Sequence, residues 1–158
     1  MLSRRSVRIK VMQVLYAVNR KQHMDDKAAN QFYRQLVDLS YQLYILNLLL
    51  LLRTAEYSRQ DLARRQAKLR PTDEDRQFSS QLADNELTQS LSKNVDLQRL
   101  YSRYNFKAKI DADRVRTFYS SFAKTSEYQE YWKSSNLTRE DNINILLQLY
   151  RHLINEET

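Results

Sequence analysis

An all-α fold follows from three features of the sequence. The chain has no glycine and a single proline, Pro71. Its apolar residues recur at steps of three and four, the period of a helix face. Its longest stretches are built from Leu, Ala, Gln and Arg, all good helix formers. Glycine supplies the positive-φ corners of tight hairpins and phosphate-cradling loops, and helices joined by polar loops do without it. The expectation is a single helical domain over 1–158, a bundle with one very long second helix and several shorter ones.

The first helix is predicted from Arg4 to Arg20 with Ser3 as N-cap, since a serine oxygen there satisfies an orphan backbone N–H. Val7, Val11, Val14, Leu15 and Val18 form one apolar stripe. At about 100° per residue, Arg8 falls at the edge of that stripe, Arg5 beyond it and Lys10 on the opposite flank. Arg4 stands at the helix mouth. The charges therefore border a packed face and can project from it.

A polar turn is expected around His23, and Asp25–Asp26 supply the negative charge a helix N-terminus favours. From there to Leu69 nothing breaks the helix, and unbroken it would span roughly 65 Å. A bend or break is expected near Arg53–Ser58. The first half, with Phe32, Tyr33, Leu36, Val37, Tyr41, Leu43, Tyr44 and Leu48, reads as the core-forming part. The second half (RQDLARRQAKLR) carries only a thin Leu62, Leu69 stripe and reads as a protruding arm or a lid.

Pro71 and the acidic TDED mark a linker over 70–76. Shorter helices follow near 77–93, 95–104, 111–124, 126–135 and 138–156. Asp111, Ser126 and Thr138 are the expected N-caps, with capping boxes from Ser126 to Gln129 and from Thr138 to Asp141. The last helix places Ile143, Leu146, Leu147, Tyr150, Leu153 and Ile154 at helical spacing. It ends in Glu156–Glu157, where the macrodipole prefers bases. That pattern suits a helix that continues, so the chain is expected to be a fragment of a longer protein.

Several function classes fall away. Dinucleotide fingerprints, Walker loops and nucleophile elbows all need glycine. Without cysteine there is no disulfide framework, thiolate metal site or cysteine nucleophile. Two histidines distant in sequence, His23 and His152, do not suggest a metal site. The acid clusters at Asp25–Asp26, Asp73–Asp75, Asp111/Asp113 and Glu140–Asp141 sit at helix starts or in the linker, where capping explains them. No enzyme, cofactor or metal is expected. The most apolar run, Leu43–Leu52, is ten residues where a membrane span needs about 20, so it reads as the buried middle of a helix. No signal peptide is evident, and a cytoplasmic protein without a membrane partner is expected.

Charge points to a partner. The formal net charge is +7, from 26 basic and 19 acidic residues, and it comes in blocks. Residues 1–24 carry Arg4, Arg5, Arg8, Lys10, Arg20 and Lys21 and no acid. Six basic groups against Glu56 and Asp61 give +4 over 53–70. The sign reverses to −4 over 72–96 and returns to +5 over 97–124. Blocks of positive charge are the footprint of a polyanion-binding surface. The eleven tyrosines add a second theme. Tyr101, Tyr104, Phe106, Phe118 and their aromatic neighbours interleave with Arg99, Arg103, Lys107 and Lys109, either as a tyrosine-rich core with snorkelling cations or as a secondary surface for stacking bases. The core reading is the preferred one.

The run Ser3–Ala17, SRRSVRIKVMQVLYA, resembles the opening of the NusB family of transcription antitermination factors. Arg4, Arg5, Arg8, Gln13, Leu15 and Tyr16 fall in register on that family's pattern of paired arginines, a spaced third arginine and Gln-x-Leu-Tyr. FSSQLADNEL (78–87) and the tail EYQEYW…LLQLYRHL are similar to the expanded N-terminal half of long-form members. The family's closing Val-Asn-Gly-x-Leu signature has no counterpart in a chain without glycine. The resemblance implies a non-catalytic RNA-binding factor that takes up boxA-like single-stranded RNA in the transcription complex. A small-subunit ribosomal protein in the NusE role would be its companion. Arg4, Arg5, Arg8 and Lys10 would contact the RNA backbone, and Gln13 and Tyr16 a base or sugar. Two other readings are an RNA-positioning accessory domain of an RNA methyltransferase and a helical protein-interaction scaffold.

Overall fold

The computed structural model describes residues 3–20 and 24–156; the turn expected around His23 and the terminal Glu157 lie outside them. Helices account for most of the described residues, and no strand occurs among them. The chain divides into two compact units, Met1–Tyr44 and Ile45–Thr158.

The first unit holds α1 (Arg4–Arg20) and the opening of α2 (Asp26–Gln66). Ser3 caps α1 as expected, its Oγ accepting the Ser6 N–H at 3.1 Å. Asp25 does the same for α2 through the Ala28 N–H at 2.8 Å. The expected core is much thinner than the sequence suggests. Val14 alone of the α1 stripe is buried, Val7 and Val18 are half-buried, and Val11 and Leu15 are exposed. On α2, Phe32, Tyr33, Leu36 and Val37 are half-buried, and Tyr41, Leu43 and Tyr44 are exposed. The reason is geometric. A helix with one neighbour buries one narrow face, and these segments are apolar on more than one. Ile9, Met12 and Tyr16 fall more than about 140° around the wheel from Val14, and all three face solvent.

The core lies in the second unit, and its spine on α2 joins most of the apolar run expected as the buried middle of a helix to the stretch over 53–61, which the sequence marked as a break and the start of an arm or lid. α2 is unbroken over Asp26–Gln66. Ile45, Leu49–Leu52, Thr54, Ala55, Ser58 and Asp61 are all buried along it. The small residues let neighbours approach closely, and their polar atoms are satisfied locally. Thr54 Oγ1 donates to the Leu50 carbonyl at 2.8 Å. Ser58 Oγ donates to the Ala55 carbonyl and accepts the Ala83 N–H at 3.1 Å. Leu62 packs on the core, whereas Leu69 is fully exposed. Of the apolar run, Ile45 and Leu49–Leu52 are buried but Leu43 is 57% exposed. By length and composition alone α2 is long and apolar enough to cross a membrane, with one 18-residue window at mean hydropathy 1.4, of which 22% is buried.

The segment expected as a linker contains α3 (Asp73–Gln77), started by a full capping box between Thr72 and Asp75. The single helix expected over 77–93 is two, α4 (Gln81–Asp84) and α5 (Glu86–Lys93). Asn85 separates them because its side chain accepts from the Leu87 N–H and donates to the Asn142 carbonyl at 3.0 Å. α6 (Val95–Arg103) is capped by Tyr104 and followed by Asn105, whose φ of 52° supplies the left-handed corner a glycine would usually provide. A 3-10 turn over Phe106–Ala108 leads to α7 (Ala112–Phe122), capped by Asp111 as expected. The cap of α8 (Ser126–Lys133) is Thr125, one residue before the expected Ser126, and Gln129 turns instead to the Ala123 carbonyl. α9 (Arg139–Glu156) opens on the expected Thr138–Asp141 box. Its buried face is Ile145, Leu146, Leu149 and Leu153, rotated from the expected one, so Ile143, Leu147 and Ile154 are exposed.

These helices close around an aromatic core that includes Phe118, Tyr119, Phe122, Tyr128, Tyr131 and Trp132. A polar network crosses it. The Asp61 carboxylate, 1% exposed, pairs with Arg64 at 2.6 Å and Arg65 at 3.0 Å and accepts from the Tyr119 hydroxyl at 3.2 Å. Tyr119 and Tyr128 share a hydrogen bond of 3.0 Å. Burial foremost, then the neighbouring Tyr128 and Asp61, pushes the Tyr119 phenol well above its ordinary range.

Candidate nucleic-acid interface

Arg4, Arg5 and Arg8 are exposed in the first two turns of α1. Among the described residues, no ion pair or side-chain hydrogen bond engages any of the three. On the helix wheel they share a sector of about 100° that begins about 80° from Val14 and ends opposite it. They also stand at the positive end of the macrodipole, where first-turn N–H groups lack intrahelical partners. Cationic side chains and open N–H groups converge there on one anion-attracting end.

The other three expected contacts are placed differently. Lys10 is half-buried and lies on the packed side of the wheel, about 160° from Arg8. Gln13 is exposed, roughly a turn and a half beyond Arg8. Tyr16 is 64% exposed, so its ring lies outside the core. Its hydroxyl accepts from Arg20 at 3.1 Å and the guanidinium lies 6.0 Å from its ring. The structure thus brings three arginines together and spaces Gln13 and Tyr16 further along the helix. Exposed Ile9 and Met12 beside them were not anticipated, because the stripe of four valines and Leu15 looked like the whole apolar content of α1, and Leu15 of that stripe is itself exposed.

The other charge blocks change meaning once folded. Most of the basic block over 53–70 pairs with carboxylates, several from the acidic block that follows it. Arg59 meets Asp84 at 2.8 Å, Arg65 and Lys68 meet Asp75 at 3.4 and 2.8 Å, and Arg53 lies 3.6 Å from Glu56. The hydrogen bonds from Lys68 and from the Thr72 N–H hold the Asp75 carboxyl down at about 2. Apart from the half-buried Tyr104, the aromatic residues of the block over 97–124 are core. Tyr101, Phe106, Phe118, Tyr119 and Phe122 are buried, and Lys109 and Arg114 lie 5.2 and 5.4 Å from the Phe106 and Phe118 ring centres. Rings buried in this way offer no stacking platform.

His152 is structural, its Nε2 hydrogen-bonded to Ser121 Oγ at 2.7 Å with the ring against Phe122. No cluster of histidine and carboxylates able to hold a metal occurs among the described residues. Asp25, Asp75, Asp111 and Asp141 all act as caps or cap partners.

Among the described residues, the fold is all-helical, and Arg4, Arg5 and Arg8 stand exposed and outside any ion pair at the start of its first helix. No protein-family model, curated protein or solved structure matches the chain.

Proposed function

We propose that this chain is a non-catalytic RNA-binding factor of the antitermination type, holding boxA-like single-stranded RNA at the arginine end of α1. The observation that carries the reading is the open state of Arg4, Arg5 and Arg8, three exposed guanidiniums without an internal carboxylate among the described residues. Phosphate oxygens would take the place of that carboxylate, as forked donors suit them. Support also comes from the register of Arg4, Arg5, Arg8, Gln13, Leu15 and Tyr16 on the NusB-family pattern. That resemblance also supplies the companion, a small-subunit ribosomal protein in the NusE role. Lys10 contributes long-range attraction more than contact, and Gln13 and Tyr16 stand where a sugar or base of the same strand can reach.

Fluorescence anisotropy with a labelled boxA-like RNA tests this directly. The single strand binds, an RNA duplex of the same sequence competes weakly, and Arg4→Ala/Arg5→Ala/Arg8→Ala loses most of the affinity. Equal binding by wild type and the triple variant, or no binding at low salt, overturns it.

A further inference from the structure

The first unit contains a cleft of about 710 Å³, running from the first turn of α1 to a face of α2. Its walls are Ser3 and Ser6 on α1 and Tyr33, Arg34, Tyr41 and Tyr44 on α2, with Val37 and Asp38 between them. Its lining is far more apolar than polar, yet it opens beside the turn that carries Arg4 and Arg5. Tyr41 and Tyr44 are 43% and 55% exposed, so their rings face solvent. Tyr33 is half-buried and closes the inner side. Small-molecule sites run from about 300 to 1,000 Å³, which gives this cleft room for more than one flat ring system.

We infer that this cleft is a nucleobase subsite, taking unstacked bases of the strand whose phosphates Arg4, Arg5 and Arg8 hold. The inference rests on the RNA reading above and deepens it. Single strands are held by a cationic track together with aromatic rings on which successive bases stack, and both parts occur here within one unit. The tyrosines stand on one helix face at steps of eight and three, so a base against Tyr41 has a second ring within one turn at Tyr44. Arg34 supplies a cation at the cleft wall, and the Ser3 and Ser6 hydroxyls can bond a ribose 2′-OH, the group that marks RNA. Asp38, already accepting from Gln42 at 2.6 Å, repels a phosphate and accepts a base N–H. It therefore favours bases inside the cleft and phosphates outside it, on the arginines of the adjoining turns of α1. This placement assigns α1 the backbone and α2 the bases, a division that the charge pattern of the sequence does not contain.

The test compares a short single-stranded RNA with an abasic oligomer of equal length and charge, on wild type, Tyr41→Leu/Tyr44→Leu, and the triple arginine variant. Leucine keeps the cleft apolar and removes the stacking rings, and two exposed positions leave the fold intact, as thermal melting confirms. Intact RNA binds wild type at least tenfold more tightly than the abasic oligomer, each stacked base contributing on the order of tenfold. The tyrosine variant loses that difference and binds both alike. 2-Aminopurine placed in the strand is quenched by wild type and not by the tyrosine variant. Equal binding of intact and abasic strands by wild type, or an unchanged ratio in the tyrosine variant, overturns the subsite while leaving the arginine reading standing. Binding of neither strand, or indifference of both to the triple arginine variant, overturns the RNA reading itself. Should Tyr41→Leu/Tyr44→Leu melt early, the quenching of 2-aminopurine by wild type, present or absent, still decides.

Discussion

The most direct consequence of the open arginines is a salt dependence of known size. Each phosphate neutralised on a single strand contributes about 0.7 to the slope of log affinity against log salt. Three exposed guanidiniums therefore give about 2 slope units, and raising salt fourfold, from about 50 to 200 mM, weakens binding roughly 18-fold through these contacts alone. Arg5→Ala with Arg8→Ala removes about 1.4 of that slope, and adding Arg4→Ala removes nearly all of it. Stability stays within about 0.5 kcal/mol, because none of the three packs or pairs internally. Anisotropy titrations at four or five salt concentrations supply the slope, and a melt of each variant supplies the control. A wild-type slope well below 1, or a triple variant with the wild-type slope, refutes the reasoning, since counterions would then be released elsewhere.

Three further outcomes concern the second unit. Asp61→Asn removes a buried carboxylate shared by Arg64, Arg65 and the Tyr119 hydroxyl, and since Arg65 keeps Asp75 and Arg64 is largely exposed it costs about 1–3 kcal/mol in denaturant unfolding; no measurable loss would sink this account of the network. Tyr101 is wholly buried and its hydroxyl has no hydrogen-bond partner among the described residues, so Tyr101→Phe leaves stability equal or raises it by about 1 kcal/mol, and a marked drop in Tm contradicts that. Asp75, held at about 2 against an ordinary 3.8, has a lowered folded-state pKa, so its contribution is complete above about pH 4 and is lost as the pH falls toward 2. Asp75→Asn flattens that acid limb of the Tm-against-pH curve, and an unchanged limb would show that other groups set it.

How far the fold could be read depended on whether each signal was local. The bounds of α1 and the caps at Ser3, Asp25, Asp111 and Thr138 follow from side chains reaching backbone groups two or three residues away, and they stand as expected. The division of α2 did not follow, because burial depends on what packs against a helix. Tyr41, Leu43 and Tyr44 look like core but have too few neighbours in their unit. Thr54, Ser58 and Asp61 look like surface, but they find internal partners in Leu50, Ala83 and Tyr119 and so become core. The candidate site divides the same way. Its three arginines were legible from register and charge. The tyrosine wall of the cleft was not, because it joins Ser3 and Ser6 to residues some thirty positions away.

The same distinction decides which part of the +7 charge is available to a partner. Read along the chain, residues 53–70 look as cationic as the N-terminus. In the fold, that segment meets Asp84 and Asp75 from the acidic stretch after it and closes on its own Asp61 and Glu56. Most of its cations are matched, and an RNA strand would have to break pairs to reach those, at a cost that grows with burial. α1 contains no acid at all, so no carboxylate one turn away can answer its arginines. Since a polyanion gains most where cations have no competing partner, the first turns of α1 outrank the longer basic block as a binding site even though both carry similar charge.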